Sequence, residues 1–90
     1  MKEGLDLDAW WDEPAYKPCN TLHRRGTFIF RKLREHDAAK LQAVMDDLYP
    51  AQQPDPEEIG TFEWRVILAS LGASDEEIKD VQVRMGRVRR

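Results

Sequence analysis

The sequence predicts an all-α fold, a small four-helix domain around a central third helix, preceded by an ordered, aromatic-rich N-terminal arm. Three observations predict it. Apolar residues recur at helical spacing in Leu41, Val44, Met45, Leu48 and again in Ile78, Val81, Met85, Val88. Helix-end chemistry brackets the last two helices, with acids at their starts and arginines at the end of the last. Only Thr27-Phe28-Ile29-Phe30 reads as strand, and a single short strand finds no partner elsewhere in the chain. The expected organisation is a non-regular aromatic arm over residues 1–20 and one helical domain over residues 21–90.

The arm carries Trp10, Trp11 and Tyr16 between acids and the helix-breaking Pro14 and Pro18. A helical turn is expected around Asp8 to Glu13, capped by Asp6 or Asp8. Rings of this size bury large areas on docking, so the arm is expected to lie over its own core or on a partner or second copy. Residues 21–35 follow as a helix with Leu22, Gly26, Ile29, Phe30 and Leu33 on one side and Arg24 and Arg31 opposite. Phe28 then falls on the polar side as an exposed aromatic among arginines.

Asp37 is the expected cap of the next helix, Ala38 to Leu48, which Tyr49-Pro50 ends. Pro50 to Pro56 form a stiff connector. Asp55-Pro56-Glu57-Glu58 supplies a cap, a proline at the first helical position and first-turn acids, which predicts that the third helix opens there. Phe62, Trp64, Val66, Ile67, Leu68 and Leu71 spread around most of that helix, the pattern of a central element with Trp64 in the core. Gly72 stops it, and Ser74-Asp75-Glu76-Glu77 reads as a capping box that opens the fourth. Val83 falls off the apolar stripe of that last helix.

Ninety residues suit one domain, and 41% apolar residues suffice for one core. A single cysteine gives no disulfide framework and fits a reducing cytoplasm. The acidic first residues lack the charge and apolar run of a secretion signal, and no stretch approaches the roughly 20 apolar residues of a membrane span, so a cytoplasmic protein is expected. The net charge of −3 is segregated. The blocks 1–18, 19–36, 37–63, 64–83 and 84–90 carry −3, +4, −6, −2 and +4, an alternation that pairs within a fold or across an interface.

Chemistry-bearing constellations are sparse. Cys19, His23 and His36 are the candidate metal ligands, but if 21–35 is one helix, His23 and His36, 13 residues apart, point about 140° from each other. Cys19 with either histidine would need a base held against the thiol, and both histidines fall in charged segments. The carboxylate pairs Glu57-Glu58 and Glu76-Glu77 sit where helix starts favour acids. The glycines are too scattered to cradle a phosphate. No catalytic residue, cofactor or metal is therefore expected.

Two spacings resemble known modules. Leu68, Gly72, Ile78 and Val81 are similar to the frame of a helix-turn-helix. Its reading helix would present Asp75, Glu76, Glu77 and Asp80, carboxylates that repel phosphates. Trp64-x3-Leu68-x2-Leu71-Gly72-x-Ser74-x3-Ile78-x2-Val81 resembles the Trp…Leu-Gly…Ile spacing of death-domain adaptors over 18 residues. That resemblance implies an all-α module acting purely by protein contact. It departs from the family's six-helix bundle in that nine residues follow Val81.

The expected function is a non-catalytic, cytosolic protein–protein interaction module. A small accessory or inhibitor protein of the phage or mobile-element type, binding a larger machine or itself, fits the size. Trp10, Trp11, Tyr16, Phe28, Arg24 and Arg31 are the candidate partner-binding residues. The alternative is a nucleic-acid-binding regulator using Arg24, Arg25, Arg31, Lys32, Arg34, Arg84, Arg87, Arg89 and Arg90.

Overall fold

A computed structural model describes Leu5, residues 7–14, Tyr16 and residues 24–85. Among these, the elements are α1 (Leu7–Trp11), α2 (Arg25–Leu48), a 3-10 turn (Pro56–Glu58), α3 (Thr61–Ser70) and α4 (Asp75–Arg84), with no strand. Residues 27–31 are helical, as expected. The kink at Asp37 divides α2 into the two helices read from the sequence. There the backbone turns extended (φ −160°, ψ 88°), and the Asp37 carboxylate accepts the Lys40 N–H at 3.1 Å, capping the second segment.

The third helix starts later than its sequence signals suggest. Asp55 does accept the Glu57 N–H at 2.9 Å, but the turn it caps is a single 3-10 turn. Ile59 is extended and fully buried, and Gly60 is the N-cap of α3. Burying Ile59 requires the chain to leave the helical path. The 3-10 turn is also held against α2, where the Glu57 carboxylate accepts the Thr27 N–H at 2.6 Å. It thereby caps a helix whose own N-cap residue, Arg24, makes no side-chain cap. Gly26 allows this approach, since a Cβ there would lie 2.7 Å from the Pro56 carbonyl oxygen.

The α3–α4 corner follows its sequence signals residue by residue. Gly72 takes φ 99°, with Gly72 N–H bonded to the Ala69 carbonyl at 3.1 Å and Ala73 N–H to Leu68 at 3.0 Å, the Schellman pattern. Ser74 Oγ then accepts the Glu77 N–H at 3.2 Å and Glu77 accepts the Ser74 N–H at 2.9 Å, a complete capping box.

Helix α3 is the central element, packed against both α2 and α4. Trp64, Ile67, Leu68 and Leu71 are buried, with Phe28, Ile29, Leu33, Leu41, Met45, Ile78 and Val81 around them. The third helix is less enclosed than its composition implies, because Phe62 is 66% exposed and Val66 only partly buried. Gln82, which the apolar stripe passes over, is buried and donates to the Thr61 carbonyl at 3.0 Å, tying the end of α4 to the start of α3.

Candidate interaction surface

The described residues of the arm lie on the chain's own core. Leu5, Leu7, Trp10, Trp11 and Tyr16 are all buried in the cluster formed by the longer helices. A five-residue helix has no stability alone, so its side chains hold it in place. Trp11 Nε1 donates to Asp80 Oδ2 at 2.9 Å. The Arg84 guanidinium lies 4.7 Å from the Trp11 ring centroid and 3.6 Å from the Asp80 carboxylate. Glu13 accepts from Lys32 at 2.5 Å, and Lys32 also meets Glu35 at 3.2 Å. The hydrogen bond to Glu13 raises the Lys32 pKa above its usual value of 10.5 against the opposing effect of burial.

Phe28, expected at the surface, is fully buried. The Tyr16 ring packs on it at 5.3 Å between centroids, and the Arg31 guanidinium covers it at 5.5 Å. The first half of α2 thus has two covered faces, one against α3 and one beneath the arm. Of the six residues expected to meet a partner, the four aromatics are used inside the fold. Arg24 and Arg31 remain exposed.

Arg34 joins them. Arg24 and Arg31 are separated by two helical turns, and Arg34 follows one turn later, so the three share the outer side of α2. The Arg34 guanidinium lies 5.2 Å from the Phe30 ring centroid. None of the three forms an ion pair among the described residues. A guanidinium stacked on a ring keeps its in-plane N–H donors available to a carboxylate or phosphate.

Arg34 also stands at the edge of a groove at the α2 kink. Leu41 and Met45 form its buried floor, Ala38 and Ala39 keep it open, and Pro54 and Pro56 of the connector face it. Gln42 and Gln53, which also line the groove, both donate to Asp46 Oδ1 at 2.8 Å, so that carboxylate is already engaged. A second concavity lies between α3 and α4, lined by Arg65, Asp75, Glu76, Ile78, Lys79 and Gln82. Among the described residues, the two exposed large apolar side chains, Phe62 and Val83 (66% and 58%), sit on those same two helices.

The residues of the nucleic-acid alternative do not form one free set. Arg25 donates to the Arg84 carbonyl at 3.0 Å, Lys32 is paired twice, and Arg84 stacks on Trp11. Arg87, Arg89 and Arg90 lie outside the described residues, as do the metal candidates Cys19 and His23; His36 is exposed. The start of α4, the reading end of a helix-turn-helix, presents exposed Asp75 and Glu76. No described helix is long and apolar enough to cross a membrane.

No family model matches the chain, and no curated protein or solved structure is significantly similar to it. The spacing shared with death-domain adaptors therefore stands as a local description of the α3–α4 corner, where each of its residues has a physical role in capping or core packing.

Proposed function

We propose that this chain is a non-catalytic interaction protein that meets another protein, or a second copy of itself, through the outer side of α2. One observation carries the reading. Arg31 and Arg34 are held over Phe28 and Phe30, and Arg34 lines a groove of mixed polar and apolar surface, on a chain of net charge −3. Oriented arginine beside apolar surface is the composition of protein interface centres. A chain acidic overall is repelled by a long polyanion and accepts a short acidic segment at a local basic stripe. Within this reading it is a small cytosolic accessory or inhibitor protein, of the kind phages and mobile elements encode, acting on a larger assembly.

Arg24, Arg31 and Arg34, exposed and without an ion pair among the described residues, favour a second reading, a nucleic-acid-binding regulator. Retention on a DNA column at about 150 mM salt separates the two, because screening there already reaches about 8 Å. The interaction reading expects the protein in the flow-through. Tight retention, with log affinity falling by about 0.9 per phosphate contact against log salt and flattening when the three arginines become glutamine, establishes the alternative.

A further inference from the structure

We propose that the partner segment received by the outer side of α2 is a short acidic α-helix, about three turns long, with its carboxylates on one face. This rests on the interaction reading and names the chemistry of the partner. Arg24, Arg31 and Arg34 are exposed and form no ion pair among the described residues. Arg31 and Arg34 are laid against the Phe28 and Phe30 rings at 5.5 and 5.2 Å. Stacking holds each guanidinium near its own helical turn and leaves its fork of N–H donors for a carboxylate.

Spacing selects a helix. At 1.5 Å per residue, Arg31 and Arg34 stand about 4.5 Å apart along the α2 axis, and Arg24 and Arg31 about 10.5 Å. Carboxylates spaced three and then seven residues apart on a helix lying alongside reproduce both rises. Side chains on one face of a strand recur every ~6.8 Å, which matches neither. Charge limits the length. Beyond the kink at Asp37, α2 exposes Asp46 and Asp47, so an acidic segment that outruns the arginines meets like charge. The neighbouring face of α2 already holds a segment of this kind. The arm is acidic and aromatic, its α1 is helical, and it docks with Glu13 on Lys32 and Tyr16 on Phe28. The outer side repeats that pairing of cation and ring in Arg31 with Phe28 and Arg34 with Phe30.

The test titrates the full chain against a fluorescent, alanine-based helical peptide whose three glutamates have that spacing, read by anisotropy at about 100 mM salt. A second peptide of the same composition spreads the glutamates around the helix. The aligned peptide is expected to bind with a Kd below about 1 mM, more tightly than the second, and to weaken as salt is added. Arg24→Gln, Arg31→Gln and Arg34→Gln alter exposed side chains, so the variants keep the parent's helical circular dichroism. Each is expected to weaken the aligned peptide by up to about fivefold. Equal binding of the two peptides, binding unchanged in the triple variant, or no binding up to about 1 mM overturns the proposal. Tighter binding of a single-stranded oligonucleotide of equal charge overturns it as well. If the peptides fail while a cross-linker at Arg31 still captures a discrete protein that depends on Arg24 and Arg34, the acidic helix is excluded and the interaction reading stands. Failure of both removes the reading itself.

Discussion

Trp11 and Asp80, 69 residues apart in sequence, are joined by a 2.9 Å hydrogen bond from the indole to the carboxylate. With the Arg84 guanidinium over the same indole, this contact fastens the arm to the last helix. Trp11→Phe keeps most of the ring and removes the bond, with an expected loss of about 1 kcal/mol because Asp80 is partly solvated. Trp11→Ala also removes the buried packing and is expected to lose about 3 kcal/mol or more. Urea midpoints check both. An alanine variant as stable as the parent shows that the arm does not strap the core.

Gly26 gives a result opposite to that of helix propensity. Propensity alone favours Gly26→Ala by about 1 kcal/mol. The Pro56 carbonyl 2.7 Å from the new Cβ forces α2 and the connector apart, at an expected cost of about 1–3 kcal/mol. The shift also lengthens the Glu57 cap on Thr27. A Gly26→Ala variant that melts higher than the parent contradicts this packing.

Ser74 carries one half of the capping box. Ser74→Ala is expected to lose about 1 kcal/mol and Ser74→Gly a few tenths. Equal denaturant midpoints for parent and both variants remove the box from the account.

Stability should decline in alkali. Lys32 has its pKa raised, chiefly by the hydrogen bond it donates to Glu13, and Tyr49 has its pKa raised by burial and then by nearby Glu63. Both groups therefore lose their protons more readily in the unfolded chain. Their contribution is complete below the ordinary values of 10.5 and 10.0 and is lost as pH rises through the higher folded-state values. Urea midpoints between about pH 9 and pH 11.5 should fall, and more gently in Tyr49→Phe and in Lys32→Gln. Parallel declines in parent and variants assign the loss to other groups.

The parts of the fold legible in the sequence are those written in local chemistry. Gly72 and the Ser74 box mark their corner because Schellman and capping bonds span only a few residues. Trp64 and the Leu41–Met45 stripe follow from periodicity along one helix. Phe28 was not legible, since a wheel drawn on α2 alone contains no information about an arm that arrives to cover its second face. The start of α3 was misplaced because a cap followed by proline describes a 3-10 turn as well as an α-helix, and only the burial of Ile59 distinguishes them. The arginines of the candidate surface were partly visible: Arg24 and Arg31 were placed on the outer side from spacing. The groove beside Arg34 is assembled from residues of α2 and of the connector that folds back on it, and no local pattern marks it.

The central claim is that the outer side of α2 contacts protein. The most direct measurement replaces Arg31 with a photo-crosslinking residue in the native host and identifies the adducts by mass spectrometry. The account predicts a discrete protein adduct, either another protein or a second copy of the chain, that is lost when Arg24 and Arg34 are also changed to glutamine. Adducts only to nucleic acid, or protein adducts unchanged by those substitutions, contradict it.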